Sequence, residues 1–98
     1  VVPNACSGVY VTTPATWWSH CGQDEKFRSW SPEDVAWFIS HKTLLGAEPI
    51  RHVGRVYALH HDSPVKDGDD FDDGYARIYR YMQADGDEDA IRALISED

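Results

Sequence analysis

The sequence predicts an α+β fold: a small three-stranded, mostly antiparallel sheet with two helices on one face, in the order β-α-β-β-α. Three observations predict it. Runs rich in β-branched and aromatic residues, bounded by Pro and Gly, recur near 7–13, 51–60 and 75–83. Two other segments, 31–45 and 87–96, carry helix-start residues followed by helical spacing. With 98 residues the chain is the size of one domain, read as 1–98, and it buries a single modest core.

The first element is the segment Ser7 to Thr13 (SGVYVTT), read as a strand that Pro14 closes. From Pro14 to Trp30 neither a period of 2 nor one of 3.6 holds. That stretch is expected to be an irregular, aromatic-rich connection with at most one short helical turn. In an extended segment the adjacent Trp17 and Trp18 face opposite ways, one inward and one outward.

Ser31 suits a helix N-cap, Pro32 the first helical position, and Asp34 stands three residues on, as in a capping box. Trp30 and Val35 are spaced for a hydrophobic staple. Val35, Phe38, Ile39 and Lys42 repeat at helical spacing. His41 and Lys42 suit the negative end of the helix dipole, and Gly46 suits the stop. This is the helix 31–45.

After Pro49, Arg51–His60 reads as the second strand, and Asp62–Gly74 (DSPVKDGDDFDDG) as the exposed turn of a long hairpin. Tyr75–Gln83 is ambiguous. Phe71, Tyr75, Ile78, Tyr79 and Met82 fit a helical stripe, whereas the tyrosines and Ile78 in a short run fit a strand. The reading adopted is a strand, the hairpin's second arm. The last element, Asp87–Ser96, is a short helix with acids in its first turn and an apolar stripe of Ala90, Ile91, Leu94 and Ile95.

Charge is the strongest functional signal. Residues 1–61 hold five acids and five bases; residues 62–98 hold twelve acids and four bases, which accounts for the whole net charge of −8. Such a field repels nucleic acid and membrane surfaces and steers basic partners inward. No apolar run approaches the ~20 residues of a membrane span.

The candidate partner-binding residues are therefore Asp67, Asp69, Asp70, Asp72, Asp73, Asp85, Asp87 and Glu88. Tyr79 and Tyr81 are added as aromatic anchors, since Trp, Tyr and Arg dominate interface hot spots. Arg77 and Arg80, interleaved with the tyrosines, are placed to pair across an interface or with the acidic loop. The acidic loop is not an EF-hand: Phe71 and Arg80 stand where acids are required.

Carboxylates in rows imitate the phosphates of a duplex. In size and charge the chain resembles small acidic inhibitors made by viruses and mobile elements against nucleases, including many anti-CRISPR proteins. The likeness is one of composition, with no signature residue behind it. What it implies is a non-enzymatic module that inhibits a protein by occupying its basic, nucleic-acid-binding surface, with no cofactor.

Two alternatives rest on the Cys and His residues. Cys6, His20, Cys21 and one of His60 or His61 have the chemistry of zinc ligands but no metal-ligand spacing. Cys21 with His60 or His61 has the chemistry of a nucleophile and base, without any family signature around it. A Cys6–Cys21 disulfide would instead mark a secreted, stapled effector domain, whereas two unpaired thiols packed as small hydrophobes fit the cytoplasm.

Overall fold

The computed structural model describes residues 9–28, 32–51 and 68–97. Among them the protein is helical and contains no strand, so the predicted α+β fold with a three-stranded sheet is overturned. Four helices follow in order: α1 (Pro14–Ser19), α2 (Glu33–Leu45), α3 (Asp69–Ala84) and α4 (Glu88–Ile95).

The first predicted strand fails at Pro14, which opens a helix instead of closing a strand. Proline's fixed φ suits a first helical position, and its missing N–H costs nothing there. Thr13 caps that helix, its Oγ1 accepting from the Thr16 amide at 3.2 Å. Residues 9–13 form no strand among the described residues; Tyr10 packs on Trp37 while Val9 and Val11 stay exposed. The one short helical turn expected between 14 and 30 is α1.

α2 matches the predicted helix, beginning at Glu33 with Pro32 in the cap position. Ser31 and Trp30, the predicted cap and staple, lie outside the described residues. Asp34 Oδ1 accepts from the adjacent Val35 amide at 2.9 Å. Gly46 ends the helix with φ 72°, the left-handed conformation a glycine adopts without cost.

The largest correction is α3. The acidic hairpin turn and the strand over 75–83 merge into one helix of 16 residues. Four Asp between 69 and 73, read as turn residues, fall at the helix N-terminus, where the macrodipole favours negative charge. The spacing of Phe71, Tyr75, Ile78 and Met82 thus reports a helix, and the tyrosines do not make a strand. Of the remaining predicted strand only Arg51 is described, and it is not in one; residues 52–60 lie outside the described residues, as do 62–67 of the predicted turn. α4 forms as expected, with the Asp87 side chain accepting from the Ala90 amide at 3.1 Å.

α2, α3 and α4 pack on one another around Ala36, Ile39, Ile78, Tyr81, Ala84, Ile91 and Leu94. Burying a side chain such as Ile91 contributes about 1.5–3 kcal/mol over leaving it in water. The turn between α3 and α4 is fastened to α2 twice. Gly86 donates its amide to Thr43 Oγ1 at 3.1 Å, and Lys42 pairs with Asp85 at 2.9 Å. A second side of α2, bearing Trp37, Ser40 and His41, is also buried. There Trp37 and His41 meet aromatic residues from the 9–22 segment. α2 is therefore central, with an aliphatic core on one side and an aromatic cluster on the other.

Candidate functional site

Three features stand out: the outward face of α3, a polar knot around Asp24, and a histidine pair inside the aromatic cluster.

On α3 the buried positions Gly74, Ile78, Tyr81 and Ala84 share the inner side of the helix. The flank beside it carries Tyr75, Tyr79 and Met82, spaced i, i+4, i+7, so they form one stripe. Tyr79 is 64% exposed and Met82 51% exposed. Asp72, also exposed, continues that stripe at its N-terminal end, while Asp69, exposed too, lies further round the helix. An aromatic stripe with a carboxylate at its head is thus presented to solvent.

The other predicted acids are distributed differently. Asp85 is held by Lys42, Asp87 caps α4, and Glu88 pairs with Arg92 at 3.2 Å. These three sit at the far end of α3, ~20 Å from Asp69 by the rise of 1.5 Å per residue. The acids therefore form two groups rather than one row. Asp70 and Asp73 belong to the first group by position; Asp67 lies outside the described residues.

Tyr81 is not an interface anchor. It is 0% exposed, and its hydroxyl donates to Asp24 Oδ2 at 2.7 Å. Arg77 Nε donates to the same oxygen at 2.7 Å, and the Lys26 amide donates to Oδ1 at 2.9 Å. Arg77 then spends its remaining donors on the Leu94 carbonyl at 2.8 Å and on Glu97 at 3.2 Å. Arg80 also holds Glu97, with Nη1 at 2.6 Å from Oε1 and Nη2 on Oε2. Burial pushes the Asp24 carboxyl up, but the hydrogen bonds from Tyr81, Lys26 and Arg77 outweigh it and leave the group below its ordinary value. Burial, reinforced by Asp24, pushes the Tyr81 hydroxyl well above its ordinary value. Glu97 is drawn down to about 2, first by Arg80 and then by Arg77. The two arginines are thus bound within the fold, through Glu97. Asp24 and Glu97 escaped the sequence reading because their partners are distant in the chain.

The third feature begins at the end of α1. The Gly22 amide donates to Trp17 O at 3.0 Å and the Cys21 amide to Trp18 O at 3.1 Å, the two bonds of a Schellman motif. Cys21 occupies the left-handed position at φ 70°, where glycine is usual. Gly22, also at positive φ, leaves no room for a side chain: a Cβ would sit 3.0 Å from Trp17 Nε1. The turn drives His20 into the interior and leaves Trp18 70% exposed, so one Trp points in and one out as expected, though from a helix.

His20 is 0% exposed, and among the described residues neither ring nitrogen has a well-formed hydrogen bond, though the His20 and Gly22 backbone lies close enough to favour the charged ring. Its ring lies 5.4 Å from Trp17, 6.2 Å from Trp37 and 5.0 Å from His41. His41 Nδ1 is 2.9 Å from the Ala47 carbonyl, while Tyr10 covers Trp37 at 4.5 Å. Burial, with His41 alongside, holds the His20 imidazole below its ordinary range, so it is neutral at pH 7. His41 was read from the sequence only as a dipole-favoured residue, so the pair went unseen.

Of the other sequence candidates, Cys21 is a free, half-buried thiol, whereas Cys6, His60 and His61 lie outside the described residues. Among the described residues no group of three His, Cys, Asp or Glu is arranged to hold a metal. No helix among them is long and apolar enough to cross a membrane.

Comparison with protein-family models, curated proteins and solved structures gives no match.

Proposed function

We propose that this protein is a non-enzymatic binding module that occupies a basic, nucleic-acid-binding surface of a partner protein. The observation that carries the reading is the outward face of α3, where Tyr75, Tyr79 and Met82 stand exposed beside Asp72, with Asp69 exposed in the same first turn. Apolar and aromatic side chains left in water on a helix whose other side is fully engaged are the raw material of an interface. The adjacent carboxylates select the partner's sign, favouring Lys and Arg and rejecting acidic surfaces. Asp85, Asp87 and Glu88 contribute to the long-range field while retaining their internal bonds, so their part is steering and not contact.

The test uses the purified chain against a panel of purified nucleases and DNA-binding domains, with duplex DNA as competitor. At least one member should bind, with affinity falling by roughly tenfold or more between 0.1 and 0.3 M salt, and duplex should displace the chain. Replacing Asp69, Asp70, Asp72 and Asp73 by Asn, or Tyr79 by Ala, should abolish binding while leaving the melting temperature within a few degrees. A panel with no binder, or binding indifferent to these substitutions, refutes the reading.

A further inference from the structure

Residues 9–22 form a strap across α2 that is fastened differently from the rest of the chain. The hydrogen bonds the strap makes among the described residues are its own: Thr13 caps α1, and the Cys21 and Gly22 amides close onto Trp18 and Trp17. What joins it to α2 is a set of rings. Tyr10 lies 4.5 Å from Trp37 and 6.0 Å from His41, and His20 lies 6.2 Å from Trp37 and 5.0 Å from His41. Just beyond the strap, Arg77 and Tyr81 clamp Asp24 through bonds of 2.7 Å. Between cluster and clamp stand Cys21 and Gly22, both at positive φ.

His20 is enclosed at the centre of the rings. Trp17 faces it from α1, Trp37 and His41 face it from α2, Tyr10 closes over Trp37 and His41, and Cys21 follows it in the turn. None of these groups is a carboxylate, and Lys42, next to His41 on α2, is paired with Asp85 at the α3–α4 turn. A proton on His20 therefore sets a cation in an apolar enclosure against a second imidazole, with no anion among these groups to offset it. The His20 and Gly22 backbone favours the charged ring, but less than burial and His41 disfavour it.

We propose that the His20–His41 pair is an acid-operated latch, whose protonation frees residues 9–22 from α2 while Asp24 holds the chain behind them on α3. The freed strap exposes Tyr10 and Trp17 beside the already exposed Trp18, and uncovers Trp37 and His41. A solvated His20 takes its proton near pH 6.5 and the latched ring resists it, so release grows by up to about tenfold per pH unit below 6.5. The Asp24 carboxyl, held below its ordinary value, stays ionised through that window and keeps its clamp. The latch is separate from the α3 face and stands or falls independently of partner binding.

The experiment follows the full chain from pH 7.5 to 4.5 by amide hydrogen exchange, tryptophan fluorescence and NMR. Between pH 6.5 and 5.5, protection at Trp17, Cys21 and Gly22 should fall by about tenfold beyond the intrinsic change in exchange rate. Tryptophan emission should move to the red, while helical circular dichroism and the protection of α3 and α4 hold. The His20 imidazole resonances of the unaltered protein should titrate over the same range. His20→Leu should keep the strap protected throughout, and H60Q/H61Q should release it as the unaltered chain does. Should His20→Leu not fold, the unaltered protein decides alone. Protection lost from α3 and α4 together with the strap, release that does not follow His20 protonation, or a strap still protected at pH 4.5 overturns the proposal.

Discussion

The Asp24 knot and the His20 cluster both set polar atoms among aromatic rings, yet they end in opposite states. In the knot, Tyr81, Arg77 and the Lys26 amide all converge on one carboxylate, and Arg77 finds further acceptors on Leu94 and Glu97. In the cluster, His20 Nδ1, His20 Nε2 and Trp37 Nε1 are the buried side-chain atoms without partners among the described residues. A closed network ties three parts of the chain together and has nothing left for a ligand. An open one weakens the fold and keeps lone pairs for something else.

The comparison breaks most visibly at Asp24. Asp24→Ala leaves the Arg77 guanidinium and the Tyr81 hydroxyl without their shared acceptor, and should cost about 3 kcal/mol in chemical denaturation. A loss below about 1 kcal/mol would mean that water replaces the carboxylate and the knot is not closed.

His20→Leu should act in the opposite direction. Exchanging an imidazole without a well-formed hydrogen bond for an apolar side chain of similar size should stabilise the protein by about 1–2 kcal/mol. The same variant sharpens the pH dependence. Well above pH 6.5 His20 is neutral in both states; below it the unfolded chain takes up the proton first, because burial holds the folded imidazole lower. Stability should therefore fall as the pH drops below 6.5, and this fall should be smaller in His20→Leu. The Asp24 carboxylate, held below 3.8, contributes its own loss only in stronger acid.

The smallest effect lies at the turn that delivers His20. Cys21→Gly relieves a side chain held at φ 70° and should raise stability by about 0.5–1 kcal/mol. An unchanged or lower melting temperature would show that the thiol contributes packing that outweighs the backbone cost.

The helices legible in the sequence were those with local punctuation. α2 ends on Gly46, and α4 starts with Asp87 and two further acids, all signals within one turn of the boundary. α3 was misread because its two halves send conflicting local signals. Four Asp between Gly68 and Gly74 resemble a turn, and three tyrosines resemble a strand. Only the dipole and the stripe of Ile78, Tyr81 and Ala84 against α2 and α4 decide for a helix, and that stripe is a tertiary fact. The acidic character of the candidate face was visible in the sequence. The burial of Tyr81 and the meeting of His20 with His41 were not, since both depend on how segments distant in the chain pack.

The bonds from Arg77 and Tyr81 to Asp24 span 53 and 57 residues of chain. Contacts of that sequence separation carry a large loop-closure penalty, which nothing repays until α2, α3 and α4 have already assembled. Asp24 is therefore expected to dock after the rate-limiting barrier to folding. The stabilisation lost in Asp24→Ala should appear as faster unfolding with a nearly unchanged folding rate, so this side chain sets how long the native state lasts and not how quickly it forms.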